Sequence, residues 1–178
     1  HGAHKLRNLF ADDAKRLTIL REPVDRIISH FHFARTSPNH YLFEAINQQK
    51  LSLAEYAVSD LSPEITNNYI RRFTGISAEE SQRAPKDSAE QAFDLLLSEY
   101  SVIGFTENLD DAMTAIAEAC QFPFADWKPQ RRNSNKLRPR DIDHATIEII
   151  RERNAADVFL YEMLKNQTRG KGFASGKQ

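Results

Sequence analysis

One stretch decides the fold of this chain: Leu17-Thr18-Ile19-Leu20-Arg21-Glu22-Pro23-Val24-Asp25-Arg26-Ile27-Ile28-Ser29-His30-Phe31. The apolar run from Leu17 to Leu20 predicts a short strand that is covered on both faces. Pro23 suits the first position of a helix, where the missing N–H would have no partner in any case. Apolar residues then recur at the spacing of one helical face, at Val24, Ile27, Ile28 and Phe31. The stretch therefore predicts a strand, a tight turn and a helix.

Polar side chains in this stretch predict an anion site. Arg21 follows the strand, and Ser29 lies two turns into the helix, on a face away from the core. In α/β proteins, anionic ligands bind where the end of a strand meets the start of a helix. A guanidinium can hold two phosphate oxygens at once, and a hydroxyl adds a donor. The alternative is that Arg21 and Arg26 are surface charges beside a core strand.

The pattern Arg21-x-Pro23-x-x-Arg26-x-x-Ser29 resembles the 3′-phosphate-binding motif of sulfotransferases that use 3′-phosphoadenosine 5′-phosphosulfate. The longer string ILREPVDRIISHFHFAR is similar to the carbohydrate sulfotransferase branch that includes heparan sulfate 2-O-sulfotransferase and bacterial relatives. The resemblance implies that Arg21 and Ser29 bind the 3′-phosphate. It also implies an α/β, P-loop-NTPase-like sulfotransferase fold, of which this chain is a helix-rich C-terminal portion with few parallel strands.

A second patch is Asn67-Asn68-Tyr69-Ile70-Arg71-Arg72-Phe73-Thr74-Gly75, which is similar to the family pattern Asn-x-x-x-Arg-x-(apolar)-x-Gly. On one helix, Asn67 and Arg71 would share a face. The resemblance implies that this pair binds the acceptor, a carbohydrate or another molecule with a hydroxyl group. The alternative is a helix end whose cations complement the helix dipole.

Two later patches extend the resemblance. The run Val102 to Leu109 is similar to the strand-to-helix junction of the family and predicts a buried strand. The basic loop Arg131 to Lys136 resembles the loop that closes over the nucleotide, which implies that Arg132, Ser134 and Lys136 bind phosphate or sulfated acceptor groups; the alternative is a solvated loop. The segment 152–161 resembles the closing helix, in which Asp157 and Tyr161 would be structural.

The catalytic base is expected near the N-terminus. Sulfuryl transfer resembles phosphoryl transfer, and histidine suits the removal of a hydroxyl proton near neutral pH. The segment His1-Gly2-Ala3-His4 aligns with the histidine-bearing segment of the family, so His1 and His4 are the candidates. A second alignment places the base before His1. His30 and His32 are expected to be packing or surface residues.

The family's phosphosulfate-binding loop has no counterpart here. The chain contains six glycines and no Pro-Lys-x-Gly-(Ser/Thr) segment, and it begins with histidine. We therefore expect residues 1–168 to form a partial sulfotransferase domain, inactive or weak by itself, followed by a disordered tail at 169–178.

Composition narrows the other possibilities. A net charge of −1 over 178 residues argues against nucleic acid, and no apolar run reaches membrane-spanning length. The single cysteine, Cys120, excludes a disulfide framework and is expected to pack in a helix. The resemblance requires no metal. Bacterial cytoplasm and Golgi lumen both remain open, as does the oligomeric state.

Two other functions stay open. Another P-loop-like transferase or kinase would need a phosphate loop and carboxylates for a metal ion, and the chain shows no convincing set. A non-catalytic helical interaction domain would not bind nucleotide.

The remaining elements follow from local signals. Helices are predicted within Tyr41 to Gln48, from Leu53 to Val58 with a capping box at Ser52, from Ser62 to Gly75, from Asp87 or Ser88 to Tyr100, from Leu109 to Ala119, and from Asp141 as one long helix to Met163. An exposed loop is predicted between Ile76 and Lys86.

Overall fold

The computed structural model describes residues 14–122 and 142–169. In this part the chain is helix-rich α/β, with parallel strands, as predicted. The elements in chain order are β1 (Leu17–Leu20), α1 (Pro23–Thr36), α2 (Phe43–Gln48), α3 (Leu53–Val58), α4 (Asn68–Thr74), α5 (Ala78–Arg83), α6 (Pro85–Glu99), β2 (Val102–Phe105), a 3₁₀ turn (Thr106–Asn108), α7 (Leu109–Cys120), α8 (His144–Arg153) and α9 (Ala155–Arg169).

The two strands pair in parallel, with Leu17 opposite Val102 and Leu20 opposite Phe105. Their carboxyl ends therefore lie at one edge of the sheet. All of β2 is buried, but in β1 only Leu20 is buried, so the prediction that β1 is covered on both faces is wrong for its first three residues. Gly104 permits close packing on α7, because a Cβ there would lie 2.5 Å from the Cβ of Ala112.

The core has two clusters of buried side chains. One joins the strands to α4, α6 and α9 around Leu96, Leu160 and Leu164. The other lies between α1, α2, α3 and α8, and it contains Ile27, Ile28 and the other apolar residues of the predicted face of α1. The helix predicted from the opening stretch is confirmed, with Pro23 in its first turn. Burial of this face fixes α1 against the rest of the domain.

The short helices follow their local signals closely. Ser52 and Glu55 form the predicted capping box at the start of α3, each side chain bonding to the other's backbone N–H. Gly75 ends α4 in the left-handed conformation, with φ of 86°. Cys120 is the last residue of α7 and is exposed, so the prediction that it packs is wrong.

The start predicted for the helix that ends at Gly75 is wrong. Ser62 and Pro63 resemble a helix start, but α4 begins only at Asn68, after Asn67 adopts a left-handed conformation with φ of 41°. The new start depends on a distant side chain. The carboxylate of Asp157 on α9 accepts the N–H groups of Tyr69 at 3.1 Å and Ile70 at 3.0 Å, and so caps α4.

The loop predicted between Ile76 and Lys86 is also wrong. This segment forms α5 and the first turn of α6, which begins at Pro85. Ser77 caps α5 by accepting the N–H of Glu80 at 3.1 Å. Ser81 is buried, and its hydroxyl accepts the side-chain N–H of Asn67 at 3.0 Å. The charged residues of this segment lie on the solvent-facing side of a short helix and not in a loop.

The single long helix predicted from Asp141 is wrong as well, because α8 and α9 are separated at Asn154. Asp143 caps α8, accepting the N–H of Thr146 at 2.8 Å. Asn154 is fully buried. Its side-chain oxygen accepts the N–H of Asn67 at 3.0 Å and a guanidinium N–H of Arg26 at 3.3 Å. The helix is therefore interrupted at a buried residue whose side chain hydrogen-bonds to Asn67 and Arg26.

Candidate functional site

The candidate site lies at the carboxyl ends of β1 and β2, and Arg21 is its first residue. The hydroxyl of Tyr69 accepts the backbone N–H of Arg21 at 3.0 Å and donates to its carbonyl at 2.9 Å. The backbone of Arg21 is therefore held from both sides. Its half-exposed guanidinium makes no ion pair or hydrogen bond with any described residue. Burial raises the pKa of Tyr69, so this clamp stays protonated at neutral pH.

Glu107 joins the ends of both strands to the last helix. One of its carboxylate oxygens accepts the N–H of Glu22, in the turn after β1, at 3.0 Å. The other accepts the hydroxyl of Tyr161, on α9, at 2.8 Å. The ammonium of Lys165 lies 4.9 Å from the ring centre of Phe105, the last residue of β2. A second cation thus stands at the same edge of the sheet as Arg21.

The titration of Glu107 follows from these contacts. Burial by itself would raise the pKa of Glu107, but the N–H of Glu22, the hydroxyl of Tyr161 and the charge of Lys165 outweigh it and hold the pKa below its ordinary value. Burial and the bond to Glu107 raise the pKa of Tyr161. The pair is therefore an ionised carboxylate beside a neutral phenol at neutral pH.

Ser29 lies on the outward side of α1 and is half-exposed. Its hydroxyl makes no hydrogen bond with any residue in the described ranges. From the first residue of the helix, Ser29 is about 9 Å along the axis. Arg21 and Ser29 thus both present donors that the described protein leaves unused, as the anion-site prediction requires.

Arg26, the third polar residue of the motif, points inward. It donates to the carbonyl of Glu64 at 2.7 Å and to the side chain of Asn154 at 3.3 Å. It also lies 3.6 Å from the carboxylate of Asp157 and stacks over the ring of Tyr69 at 5.3 Å. Burial raises the pKa of Asp157, against the opposing effects of Arg26 and the N–H groups at the start of α4. Arg26 therefore supports the clamp that holds Arg21.

Asn67 and Arg71 do not share a helix face, because Asn67 precedes α4. Asn67 is 1% exposed, and its amide is used inside the protein: it donates to Ser81 at 3.0 Å and accepts the N–H of Asp157 at 3.3 Å. Arg71 is half-buried and donates to Asn68 at 3.0 Å. These contacts favour a structural role for Asn67 over contact with an acceptor.

The other candidate residues lie outside the described ranges. These are His1 and His4 for the catalytic base, and Arg132, Ser134 and Lys136 for the closing loop. Their roles stay predictions.

Sequence reasoning missed the residues that organise this edge of the sheet. Tyr69 clamps Arg21 from 48 positions away, and Lys165 comes from the last helix. The sequence holds one local signal for these residues. Tyr161 and Lys165 are one helical turn apart, a spacing that predicts that they share one face of the last helix.

Neither a metal centre nor a membrane span is found in the described part of the chain. Within residues 14–122 and 142–169, no group of His, Cys, Asp and Glu side chains could hold a metal ion. None of the helices described there is long and apolar enough to cross a bilayer.

Comparison with known proteins finds no match to this chain among family models, curated proteins or solved structures.

Proposed function

We propose that this chain carries the 3′-phosphate-binding side of a sulfotransferase, which transfers a sulfuryl group from 3′-phosphoadenosine 5′-phosphosulfate to a hydroxyl of a carbohydrate. The observation that carries the proposal is the state of Arg21. It is a guanidinium at the carboxyl end of a parallel strand, on a clamped backbone, with no partner among the described residues. The motif Arg21-x-Pro23-x-x-Arg26-x-x-Ser29 resembles the 3′-phosphate-binding motif of sulfotransferases, which is why we propose a 3′-phosphate as the anion.

The contrast with other arginines supports this assignment. Five arginines of the described part lie within 4.0 Å of a carboxylate: Arg16 of Glu99, Arg26 of Asp157, Arg72 of Glu64, Arg151 of Glu148 and Arg153 of Asp60. Arg21 has carboxylates nearby in sequence, but Glu22 caps α1 through the N–H of Asp25 at 2.7 Å. A half-buried cation that is held in place and left unpaired is suited to an anionic ligand.

In the proposed reaction, the acceptor hydroxyl attacks the sulfur in line, and the adenosine bisphosphate leaves with the electron pair of the broken S–O bond. Arg21 and Ser29 would bind the 3′-phosphate of both the donor and the leaving nucleotide, which fixes the donor's orientation. His1 or His4 would take the hydroxyl proton, and Arg132, Ser134 and Lys136 would cover the nucleotide. The proposal includes no metal ion.

The test is calorimetric titration with 3′-phosphoadenosine 5′-phosphate, with adenosine 5′-phosphate as the comparison ligand. We expect binding to depend on the 3′-phosphate and to weaken at least tenfold in Arg21→Ala, which is about the effect of losing a charge-assisted hydrogen bond. Arg83→Ala removes an exposed guanidinium from α5 and should leave the affinity unchanged.

Equal affinity in wild type and Arg21→Ala would overturn the 3′-phosphate assignment. A folded chain that binds neither nucleotide would favour the interaction-domain alternative over any nucleotide-dependent transferase.

A further inference from the structure

An exposed group of rings lies beside the outer end of α1 and the segment that leads to α2. Phe33, His40 and Tyr41 form it, and we call it the aromatic platform. The ring of Tyr41 stacks on that of His40, with centres 4.7 Å apart and planes at 25°. Phe33 meets His40 edge-on at 5.4 Å. Tyr41 is 64% exposed and Phe33 46%, so both ring neighbours of His40 present large apolar surfaces to solvent.

The platform is held in place at its edges. The hydroxyl of Tyr41 shares a hydrogen bond with the hydroxyl of Ser62 at 2.7 Å. The Nδ1 atom of His40 accepts the N–H of Leu42 at 3.2 Å. These bonds fix the segment between α1 and α2 without covering the ring faces. The hydroxyl of Tyr41 thus has a structural role, because it anchors the segment. This role does not require the exposed face of the ring.

Polar groups with unused capacity border the platform. One oxygen of Glu64 is paired with Arg72 at 2.8 Å. The other has only long contacts, to His30 and to the hydroxyl of Tyr41, both at 3.4 Å. Because Nδ1 of His40 accepts a bond, the proton of the neutral ring is on Nε2, which is then a donor. The border thus offers one acceptor and one donor next to an aromatic face.

The acceptor oxygen of Glu64 is charged at neutral pH. Burial would raise the pKa of Glu64, but the bond to Arg72, the charge that His30 carries when it is protonated in acid and the charge of Arg72 hold it below its ordinary value. Burial lowers the pKa of His30, whose Nδ1 lies 2.6 Å from the hydroxyl of Tyr56. Glu64 therefore keeps its charge, although its neighbour His30 is neutral.

We propose that the aromatic platform and Glu64 bind a pyranose ring of an oligosaccharide. A pyranose has an apolar C–H face that stacks on an aromatic ring, and hydroxyls at its rim that donate and accept. Here Tyr41 offers the face, Glu64 accepts from ring hydroxyls, and Nε2–H of His40 donates to one. A purely apolar partner would cover the second oxygen of Glu64, whose contacts are all long, without giving it a hydrogen bond, at a cost in free energy.

The position of the platform connects it with the proposed transferase site. Ser29 and Phe33 are four residues apart on α1, so they share one side of the helix at a separation of about 6 Å along its axis. The choice of a sugar as occupant rests in part on the proposed function, whose acceptor is a carbohydrate. The platform would replace Asn67 and Arg71 as the acceptor-binding surface.

The test is calorimetric titration with two hexasaccharides, neutral chitohexaose and an acidic chain of alternating N-acetylglucosamine and glucuronate. We expect at least one to bind, and Tyr41→Ala to weaken that binding at least about tenfold. Tyr41→Phe keeps the ring face and should stay within about threefold of wild type. Phe122→Ala removes another exposed ring, which is 61% exposed at the end of α7, and should change nothing.

A second variant protects the test against misfolding. Glu64→Gln keeps every ring and should weaken the same hexasaccharide severalfold, with circular dichroism unchanged. If neither hexasaccharide binds, or if Tyr41→Ala binds as wild type does, the platform is not a sugar site.

The two proposals fail separately. Tyr41→Ala should bind 3′-phosphoadenosine 5′-phosphate normally, and Arg21→Ala should bind the hexasaccharide normally. Sugar binding without nucleotide binding would overturn the proposed transferase function and support the sugar site at the aromatic platform. Nucleotide binding without sugar binding would support the transferase function and overturn the sugar site.

Discussion

Arg21 and Arg26 belong to one motif, yet the fold places them in opposite surroundings. The side chain of Arg26 is 14% exposed and lies in a buried polar cluster with Asn67, Asn154 and Asp157. Arg21 stands at the strand ends with a held backbone and an unpaired head group. The comparison shows how one short motif can supply both a structural ion pair and a candidate ligand site.

The buried polar cluster links elements that are far apart in sequence. Asp157 on α9 caps α4, Asn154 holds the residue before α4, and Arg26 brings α1 to both. Because these groups are largely out of water, the removal of any one leaves its neighbours short of a buried partner. At the strand ends, Glu107 is exposed, so water can replace a lost partner of its carboxylate.

The largest effect is expected from Asp157→Ala. This change leaves Arg26 without its carboxylate and α4 without its cap, so we expect the free energy of unfolding to fall by about 3–5 kcal/mol. Urea denaturation measures the loss. Asp60→Ala removes the 93% exposed carboxylate that pairs with Arg153 and should lower stability by about 1 kcal/mol or less. Similar losses in the two variants would show that the polar cluster is no stronger than a surface pair.

A smaller effect is expected from Tyr69→Phe, which removes both hydrogen bonds to the backbone of Arg21. The free energy of unfolding should fall by about 1–2 kcal/mol. Titration with 3′-phosphoadenosine 5′-phosphate should also show a severalfold loss of affinity, because the backbone that carries Arg21 is no longer held. Unchanged affinity would mean that the clamp serves stability and not the proposed site. Tyr41→Phe is the matched control for nucleotide affinity.

The smallest effect concerns pH. The pKa of Glu107 is lower in the folded chain than its ordinary value of 4.5, so its contacts stabilise the fold above that pH. This contribution is lost as the pH falls through 4.5 toward the lower pKa of the folded state. In Glu107→Gln, the melting temperature should therefore fall less steeply over this acidic range than in wild type. Glu118→Gln, an exposed change on α7, should keep the wild-type slope; equal slopes in all three proteins would refute the role given to Glu107.

Prediction from the sequence succeeded where the cause is local. The strand–turn–helix at Arg21, the capping box at Ser52 and the stop at Gly75 are confirmed. Each depends on side chains and backbone within a few residues of one another. The position of Ser29 away from the buried face of α1 follows from the same local pattern.

Prediction failed where distant groups decide. The late start of α4 and the break at Asn154 both depend on hydrogen bonds between residues 87 positions apart. The inward turn of Asn67, which keeps it off the helix face of Arg71, depends on Ser81 and Asp157. The partners in these hydrogen bonds lie in or next to different helices, so the sequence pattern of a single helix cannot predict them.

The sequence by itself thus determined the two strands, the first helix and the motif from which an anion site is predicted. Only the tertiary structure decided that Arg26 is enclosed while Arg21 is left open, and that Tyr69 and Glu107 hold the strand ends together. The physical reason is that propensity and capping act over one turn of chain, whereas the pairing of buried polar groups is decided by which elements the apolar core brings into contact.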